Sequence, residues 1–376
     1  MSKVFIITGE YSGNMHASAV AKVLKSSMPE IEMEGIGAEA MAQEGVKLFS
    51  DHSKMSAVGL SLPILVEHIK LGQKVVDYIL NDYKPDIVLL VDYGGFNMKI
   101  AKFLKKKGFA GKIFYYIPPQ VWASRKYRIK AIKKYIDKVL CIFPFEEEMY
   151  KEYGIDVHYC GHPLVTQLPP KADRTKFLIE LGLNPDKPLL SVFPGSRKFE
   201  LKFLMKLFIK SAKTLKRKHP DLQVCFSQAP NLSDELYKEF YIDADFKVVK
   251  GQNQALLSAS DALILASGTV ALEAALYQTP QIISYKGPWL FYYIYLLVRA
   301  IDKVSLPNII CNKIIVPELI QGLANHDTVV FEAERLLYDK KYSLQQRNEL
   351  SRVKDKLSEK TAYREVAVQI LNVLNG

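Results

Sequence analysis

No stretch of this chain reaches roughly 18 consecutive apolar residues, the length at which a helix crosses a bilayer, so no transmembrane span is expected. The nearest approach is WLFYYIYLLV, Trp289 to Val298, bounded by Lys286 and Arg299. The four cysteines, Cys141, Cys160, Cys225 and Cys311, form no CxxC pair. Such spacing indicates neither a zinc site nor a disulfide framework, and it fits a reducing cytoplasm. No secretory leader is legible, because Lys3 is followed at once by VFIITG, a strand-length run without a cleavage site. GxGxxG is missing, which leaves a dinucleotide site poorly supported. No DxD pair stands at the end of a strand pattern; Asp243-Ala244-Asp245 falls in a polar loop. RNP, zinc-finger and helix-turn-helix signatures are missing too, so nucleic acid is not expected as a partner. Acid is the scarcer charge: 40 Asp and Glu against 51 Lys and Arg leave a net +11. That balance suits a phosphorylated substrate or an acidic membrane surface.

What the chain does have is a sustained alternation of apolar strands and amphipathic helices. At 376 residues and 49% hydrophobic composition it is long enough for two domains with sizeable cores. KVFIITG, IEMEGIG, DIVLLVD, KIFYYI and KVLCIF read as buried strands, with helices between them at Met15 to Lys25, LVEHIKLGQKVVDYIL, Asn97 to Lys107 and Tyr127 to Tyr135. PFEEEMYKEY reads as a further helix. A break follows at Gly161-His162-Pro163-Leu164 and QLPPKAD, where paired prolines and charge mark a linker. A second series then runs through LLSVFPGS, a basic helix from Glu200 to Lys218, LQVCFSQ, FKVVKG, ALILAS and QIISYKG. The pattern predicts an α/β fold, two Rossmann-like domains with parallel sheets facing across a cleft. Expected boundaries are 1–163, 164–345 and a helical segment 346–376 packing back on the N-terminal domain. Active groups in such sheets gather at the carboxyl ends of the strands.

Four stretches can carry chemistry. Ala266 to Glu273 joins a strand to a helix through Ser267-Gly268-Thr269. Unpaired N–H groups and the helix dipole make that junction an anion site, with Glu273 one turn on for a ribose. It would equally serve as an ordinary Ser/Thr cap. Thr8 to His16 follows the first strand, and its glycines let backbone approach a ligand. Glu10 there is a candidate base or hydroxyl ligand, or else a solvated residue of a capping loop; His16 reads as a helix-surface histidine. Asp92 ends an apolar strand beside Gly94 and Gly95, where partial desolvation raises a carboxylate pKa and suits proton abstraction from a sugar hydroxyl. It could also cap the next helix. Gly195-Ser196-Arg197 follows a strand as a phosphate-binding turn with a forked donor, though Arg197 would equally be a surface arginine in so basic a chain, and Glu200 complements the helix dipole there without any ligand.

Taken together, GEYSGNMH, VDYGGFN, YYIPPQVWASRKYRIKAIKK, IFPFEEEMY, YCGHPL, FPGSRKFEL, ASGTVALEAAL and SLPNIICNKIIVPELIQ resemble the lipid-A-disaccharide synthase family. These stretches keep a consistent order from Met1 to about Gln321. The family consists of inverting glycosyltransferases of the GT-B type. The resemblance implies transfer of 2,3-diacylglucosamine from UDP to the 6-hydroxyl of 2,3-diacylglucosamine 1-phosphate (lipid X), giving a β-1,6-linked disaccharide and UDP. It matches Asp92 to the family's base and Glu10 to the acid of its first loop. Gly195, Ser196, Arg197, Ser267, Gly268, Thr269 and Glu273 fall on the UDP-sugar side, with Asn308, Glu318 and Gln321 in the signature close to the donor. Ser12, Gly13, Gln120 and Trp122 fall on the acceptor side. Two departures stand out: Gly94-Gly95 where many relatives have Pro-Asp, and Asn14 where many have Asp. Both remove carboxylates that would share the proton of Asp92.

From this follow further expectations. Helix N-termini and Arg197 stabilise the departing UDP, so neither a metal nor a cofactor is expected. Trp289, Phe291, Tyr292 and Leu296 supply an apolar membrane contact, with Lys102, Lys105, Lys106 and Lys107 meeting an anionic membrane surface. The same aromatic run would otherwise be a buried helix. The resemblance places such proteins peripherally on the cytoplasmic face of the inner membrane of Gram-negative bacteria. It also suggests a homodimer with exchanged C-terminal segments. The competing readings are a non-catalytic membrane or nucleic-acid binding module on a degenerate glycosyltransferase fold and a UDP-N-acetylglucosamine epimerase-like enzyme.

Overall fold

The structure, a computed structural model, describes residues 2–51, 62–123, 127–241, 246–298, 301–357 and 360–376. The chain divides into two compact units, Met1–Thr166 with Leu357–Gly376, and Gln167–Lys356.

The first unit contains β1 (Lys3–Ile7), β2 (Glu32–Gly37), β3 (Lys47–Asp51), β4 (Ile87–Val91), β5 (Lys112–Tyr116), β6 (Lys138–Cys141) and β7 (Val157–Tyr159). They form one parallel sheet in the order β3-β2-β1-β4-β5-β6-β7. Every residue of β4, IVLLV, is buried, as a strand covered by helices on both faces requires. Phe5, Val88, Leu90, Tyr115 and Val139 share one core. The chain winds outward from β1 through β2 to β3, then returns to β4 on the other side of β1. That reversal creates a crevice at the carboxyl ends of β1 and β4.

The second unit repeats the arrangement with β8 (Leu189–Phe193), β9 (Gln223–Gln228), β10 (Lys247–Lys250), β11 (Ala262–Ala266), β12 (Gln281–Tyr285) and β13 (Glu318–Ile320). Their order is β10-β9-β8-β11-β12-β13, again parallel, and the reversal lies between β8 and β11. Its core gathers Val192, Phe208, Phe226, Ile264 and Val329.

Three strands have no counterpart in the sequence reading: β3, β7 and β13. Each closes an edge of its sheet, and β7 and β13 span only three residues. Segments this short carry too little periodicity to be read before pairing defines them. The first helix also begins earlier than its pattern suggests, at Tyr11, and runs to Ser27. The C-terminal helix Ala362–Leu374 packs against it and buries Val366, Ala367 and Ile370.

Candidate active site

At the β1/β4 reversal the sequence places two turns side by side. After β1, the Thr8 N–H still donates to Ile36 O at 3.0 Å, prolonging the ladder. Glu10 is the N-cap of the helix Tyr11–Ser27, but its side chain makes no cap hydrogen bond and is exposed. That exposure agrees with the reading of Glu10 as a solvated residue of the loop that begins the helix. Ser12 is exposed in the first helical turn and Gly13 is buried. A β-carbon on Gly13 would sit 2.4 Å from Thr8 Oγ1 and 3.6 Å from Asp92 Cβ, so only glycine lets this turn close against the next strand. Asn14 Oδ1 accepts from Ala38 N at 2.8 Å, a structural task for the residue that stands where many relatives have Asp.

After β4, Asp92 N donates to Tyr116 O at 3.0 Å, and then the backbone turns sharply. Asp92 and Tyr93 both take left-handed conformations, φ 51° and 50°. Such strain persists only where surroundings enforce it. Here two side chains do so: Asn97 Nδ2 donates to Asp92 O at 2.7 Å, and Tyr115 Oη donates to the same oxygen at 2.8 Å. The helix Gly94–Lys106 starts from Tyr93 without a side-chain cap, so Asp92 is not its cap. Burial pushes the Asp92 carboxyl above its ordinary pKa, and the Tyr93 N–H partly offsets this. A β-carbon at Gly95 would meet nothing within 4 Å, whereas one at Gly94 would sit 2.8 Å from the Pro119 ring.

Of the acceptor-side residues, Gln120 is exposed and Trp122 is buried. Trp122 Nε1 donates to Glu146 Oε1 at 2.8 Å, while Glu146 Oε2 accepts from Ile142 N and Phe143 N at 3.3 and 3.2 Å. Glu146 thereby ties the segment after β5 to the start of the helix Pro144–Glu152. Burial outweighs these three donors and lifts its pKa to about 7. Sequence reasoning missed Glu146; the signal available was Pro144 at a helix start with Glu two residues later. His16 is a correction. Instead of lying on a helix surface it is half-buried, Nδ1 is 3.0 Å from Tyr363 Oη, and burial lowers its pKa.

In the second unit, Gly195 adopts φ 111° at the turn after β8, and a β-carbon there would overlap Glu200. Glu200 Oε2 accepts from Ser196 N and Arg197 N at 2.9 and 3.2 Å. Those N–H groups, expected to meet phosphate, are thus occupied from within. The Arg197 guanidinium touches Glu200 at 3.2 Å yet its side chain is 71% exposed, within reach of a ligand. After β11, Ser267 N donates to Ser284 O at 3.2 Å, and Gly268 and Thr269 are exposed. Thr269 is the N-cap position of the helix Val270–Leu276 without a side-chain cap bond, so the ordinary Ser/Thr cap is not what this turn forms. Burial raises the pKa of Glu273, whose Oε2 accepts from Gln254 Nε2 at 3.2 Å.

Asn308, Glu318 and Gln321 form an internal clamp. Asn308 Nδ2 donates to Val316 O and Glu318 Oε1 at 2.9 and 2.8 Å, and its Oδ1 accepts from Ile315 N and Val316 N at 2.8 and 3.0 Å. Both amide hydrogens and both acceptor positions are in use. Glu318 Oε1 also accepts from Ser305 N and Oγ, each at 2.8 Å. Gln321 exchanges two bonds with Gly287, at 2.9 and 3.0 Å. These residues shape the loops after β12 and β13.

The helix Trp289–Val298 leaves Trp289, Leu290 and Tyr293 more than half exposed, with Tyr292 and Leu296 half-buried. The exposed positions do not fit a helix buried in the core. The side chain of Phe291 lies outside the described residues, as do Asp243 to Asp245. Lys102 and Lys106 are exposed, whereas Lys105 and Lys107 pair with Asp137 and Asp77, each at 2.7 Å. Among the described residues no helix is long and apolar enough to cross a membrane, and no group of three or more His, Cys, Asp or Glu could hold a metal ion.

A family profile described as lipid-A-disaccharide synthetase matches residues 4–371. Lipid-A-disaccharide synthase 1 of Legionella pneumophila is 35% identical over 369 residues, covering 96% of this chain and 94% of the relative. The lipid-A-disaccharide synthase of Myxococcus xanthus is 32% identical over 376 residues, covering 99% and 97%. Among solved structures, the S. aureus MnaA–UDP complex aligns at TM-score 0.66 and 13% identity over 100% of this chain and 98% of that one. The calicheamicin glycosyltransferase aligns at TM-score 0.60 and 11% identity over 100% and 98%. At those identities the structural likeness concerns the fold, which is of the GT-B kind.

Proposed function

This chain belongs to the lipid-A-disaccharide synthase family and is a glycosyltransferase of lipid A biosynthesis, and we propose how its residues divide the reaction. The family implies a UDP-sugar donor and a lipid acceptor. The full reading is transfer of 2,3-diacylglucosamine from UDP to the 6-hydroxyl of lipid X with inversion. Neither the binding-module nor the epimerase reading is favoured, since the synthases match at 32–35% identity over nearly the whole chain.

Asp92 is the base of this proposal. The observation that carries it is a carboxylate at the strand reversal, half-buried, raised in pKa by burial, on a backbone fixed by Asn97 and Tyr115. It accepts the proton of the acceptor hydroxyl as that oxygen attacks the anomeric carbon. UDP departs with the bonding electron pair. Arg197 and the Ser267-Gly268-Thr269 turn meet its charge, and Glu273 meets its ribose. Asn308, Glu318 and Gln321 act by holding loops. No metal is assigned a part.

The reading further includes peripheral attachment at the cytoplasmic face of the inner membrane through the exposed Trp289 helix, aided by Lys102 and Lys106. It includes a homodimer as well, which light scattering checks. The decisive experiment is UDP release from UDP-2,3-diacylglucosamine with and without lipid X. Acceptor-dependent release with disaccharide formation is expected; release indifferent to lipid X defeats the proposal.

A further inference from the structure

Thr8 stands at the β1/β4 reversal with 1% of its surface exposed, and its hydroxyl has no hydrogen-bond partner among the described residues. A buried polar group left unpaired in a native fold asks for a reason. Its position supplies one. A single point, the site of a β-carbon on Gly13, lies 2.4 Å from Thr8 Oγ1 and 3.6 Å from Asp92 Cβ. The hydroxyl and the Asp92 β-carbon are therefore no farther apart than the sum of those distances. Gly13 keeps that slot open, because any side chain there would collide with the hydroxyl.

Asp92 shows the complementary need. Its main-chain oxygen is held by both Asn97 and Tyr115, while its carboxylate, raised in pKa by burial, is favoured in the ionised form by one backbone N–H, that of Tyr93. A base that must be ionised before it accepts a proton gains from a second donor.

We propose that Thr8 is a positioning residue whose hydroxyl donates to the Asp92 carboxylate when the site is engaged, orienting it toward the acceptor hydroxyl. A turn of the side chains about their χ1 bonds brings the oxygens toward ordinary O–H···O separation, ~2.5–3.0 Å. The acceptor's proton passes to one oxygen of Asp92. The Thr8 proton stays on Thr8 and donates to the other. Thr8 enters no bond and touches no substrate. This inference rests on the reading of Asp92 as the base.

The test uses the full chain with Thr8→Val, which keeps shape and removes the hydroxyl, and Thr8→Ser, which keeps the hydroxyl. Thr8→Val should unfold at the same temperature as the wild type or higher, since it deletes an unpaired buried group. Its kcat should fall ~5–10-fold, and the acid limb of its kcat/KM profile should move to higher pH, because the anion has lost a donor. Thr8→Ser should restore both. An acid limb coincident with the wild type overturns the proposal. So does a lower unfolding temperature with that limb unmoved, the outcome expected if the hydroxyl merely serves Asn97 Oδ1, also buried without a partner. If Thr8→Val does not fold, Thr8→Ala takes the same measurements. Asp92→Asn is assayed alongside. Normal turnover there removes the base itself, whereas an inactive Asp92→Asn with a wild-type Thr8→Val profile removes only the role of Thr8.

Discussion

Asn97 donates from its side-chain amide to the main-chain oxygen of Asp92 at 2.7 Å, so the strained residue at the end of β4 is pinned by its backbone rather than by its carboxylate. The amide nitrogen also lies 3.3 Å from Val91 O, and Asn97 is fully buried. A fixed backbone carrying a half-buried carboxylate whose pKa is raised is what a general base requires.

Asp92→Asn should lower kcat by ~10²-fold or more while UDP affinity changes little, because shape is kept and the proton acceptor is lost. The acid limb of kcat/KM in the wild type should lie above the ordinary carboxylate range, following the upward shift that burial causes. Near-normal turnover of the Asn variant would falsify the assignment and turn attention to Glu10.

On the donor side, Arg197→Ala should weaken UDP binding by ~1.5–3 kcal/mol, the worth of a charge-assisted partner. Glu273→Gln should weaken it through the ribose. Calorimetry with UDP measures both, and unchanged affinity in the two variants sinks the placement of UDP. Excess EDTA should leave turnover intact; loss restored by magnesium would show that a metal takes part.

Asn308→Ala should destabilise the second unit by ~2–4 kcal/mol, since four hydrogen bonds go and buried partners are left unpaired. Lost activity with wild-type unfolding would instead give Asn308 a direct contact with the donor.

Glu146 should leave a signature in stability against pH. Its pKa in the fold is about 7, above the ordinary 4.5 of a glutamate, so the folded chain holds the proton more tightly than the unfolded chain. The stability this gives is complete below about 4.5 and is lost as pH rises through about 7, a change on the order of 3 kcal/mol. Denaturant unfolding from pH 4 to 8 should show the wild type losing stability relative to Glu146→Gln as pH rises. Parallel curves contradict the shift.

Replacing Trp289, Tyr292 and Leu296 with Ser should reduce sedimentation with anionic vesicles and turnover on acylated substrates, leaving UDP binding unchanged. Wild-type binding should also weaken with salt, as attraction of ~1 kcal/mol per basic residue is screened. Vesicle binding as tight as the wild type in a folded triple variant removes this helix as the anchor.

The sequence by itself determined the α/β alternation, because buried parallel strands such as IVLLV and ALILA are apolar throughout and their helices are amphipathic. It also determined which turns follow which strands, and so put Glu10, Asp92, Arg197 and Thr269 at carboxyl ends. Tertiary structure decided what each side chain does there. Local pattern could not tell that Trp122 turns inward to Glu146, or that His16 meets Tyr363 from the far end of the chain. Nor could it reveal that Thr8, read as part of the first strand but one residue past its observed end, is left with a buried unpaired hydroxyl near Asp92. Periodicity reports which face of an element is apolar. Partners brought together across dozens or hundreds of residues depend on strand order, and strand order exists only once the sheet has formed.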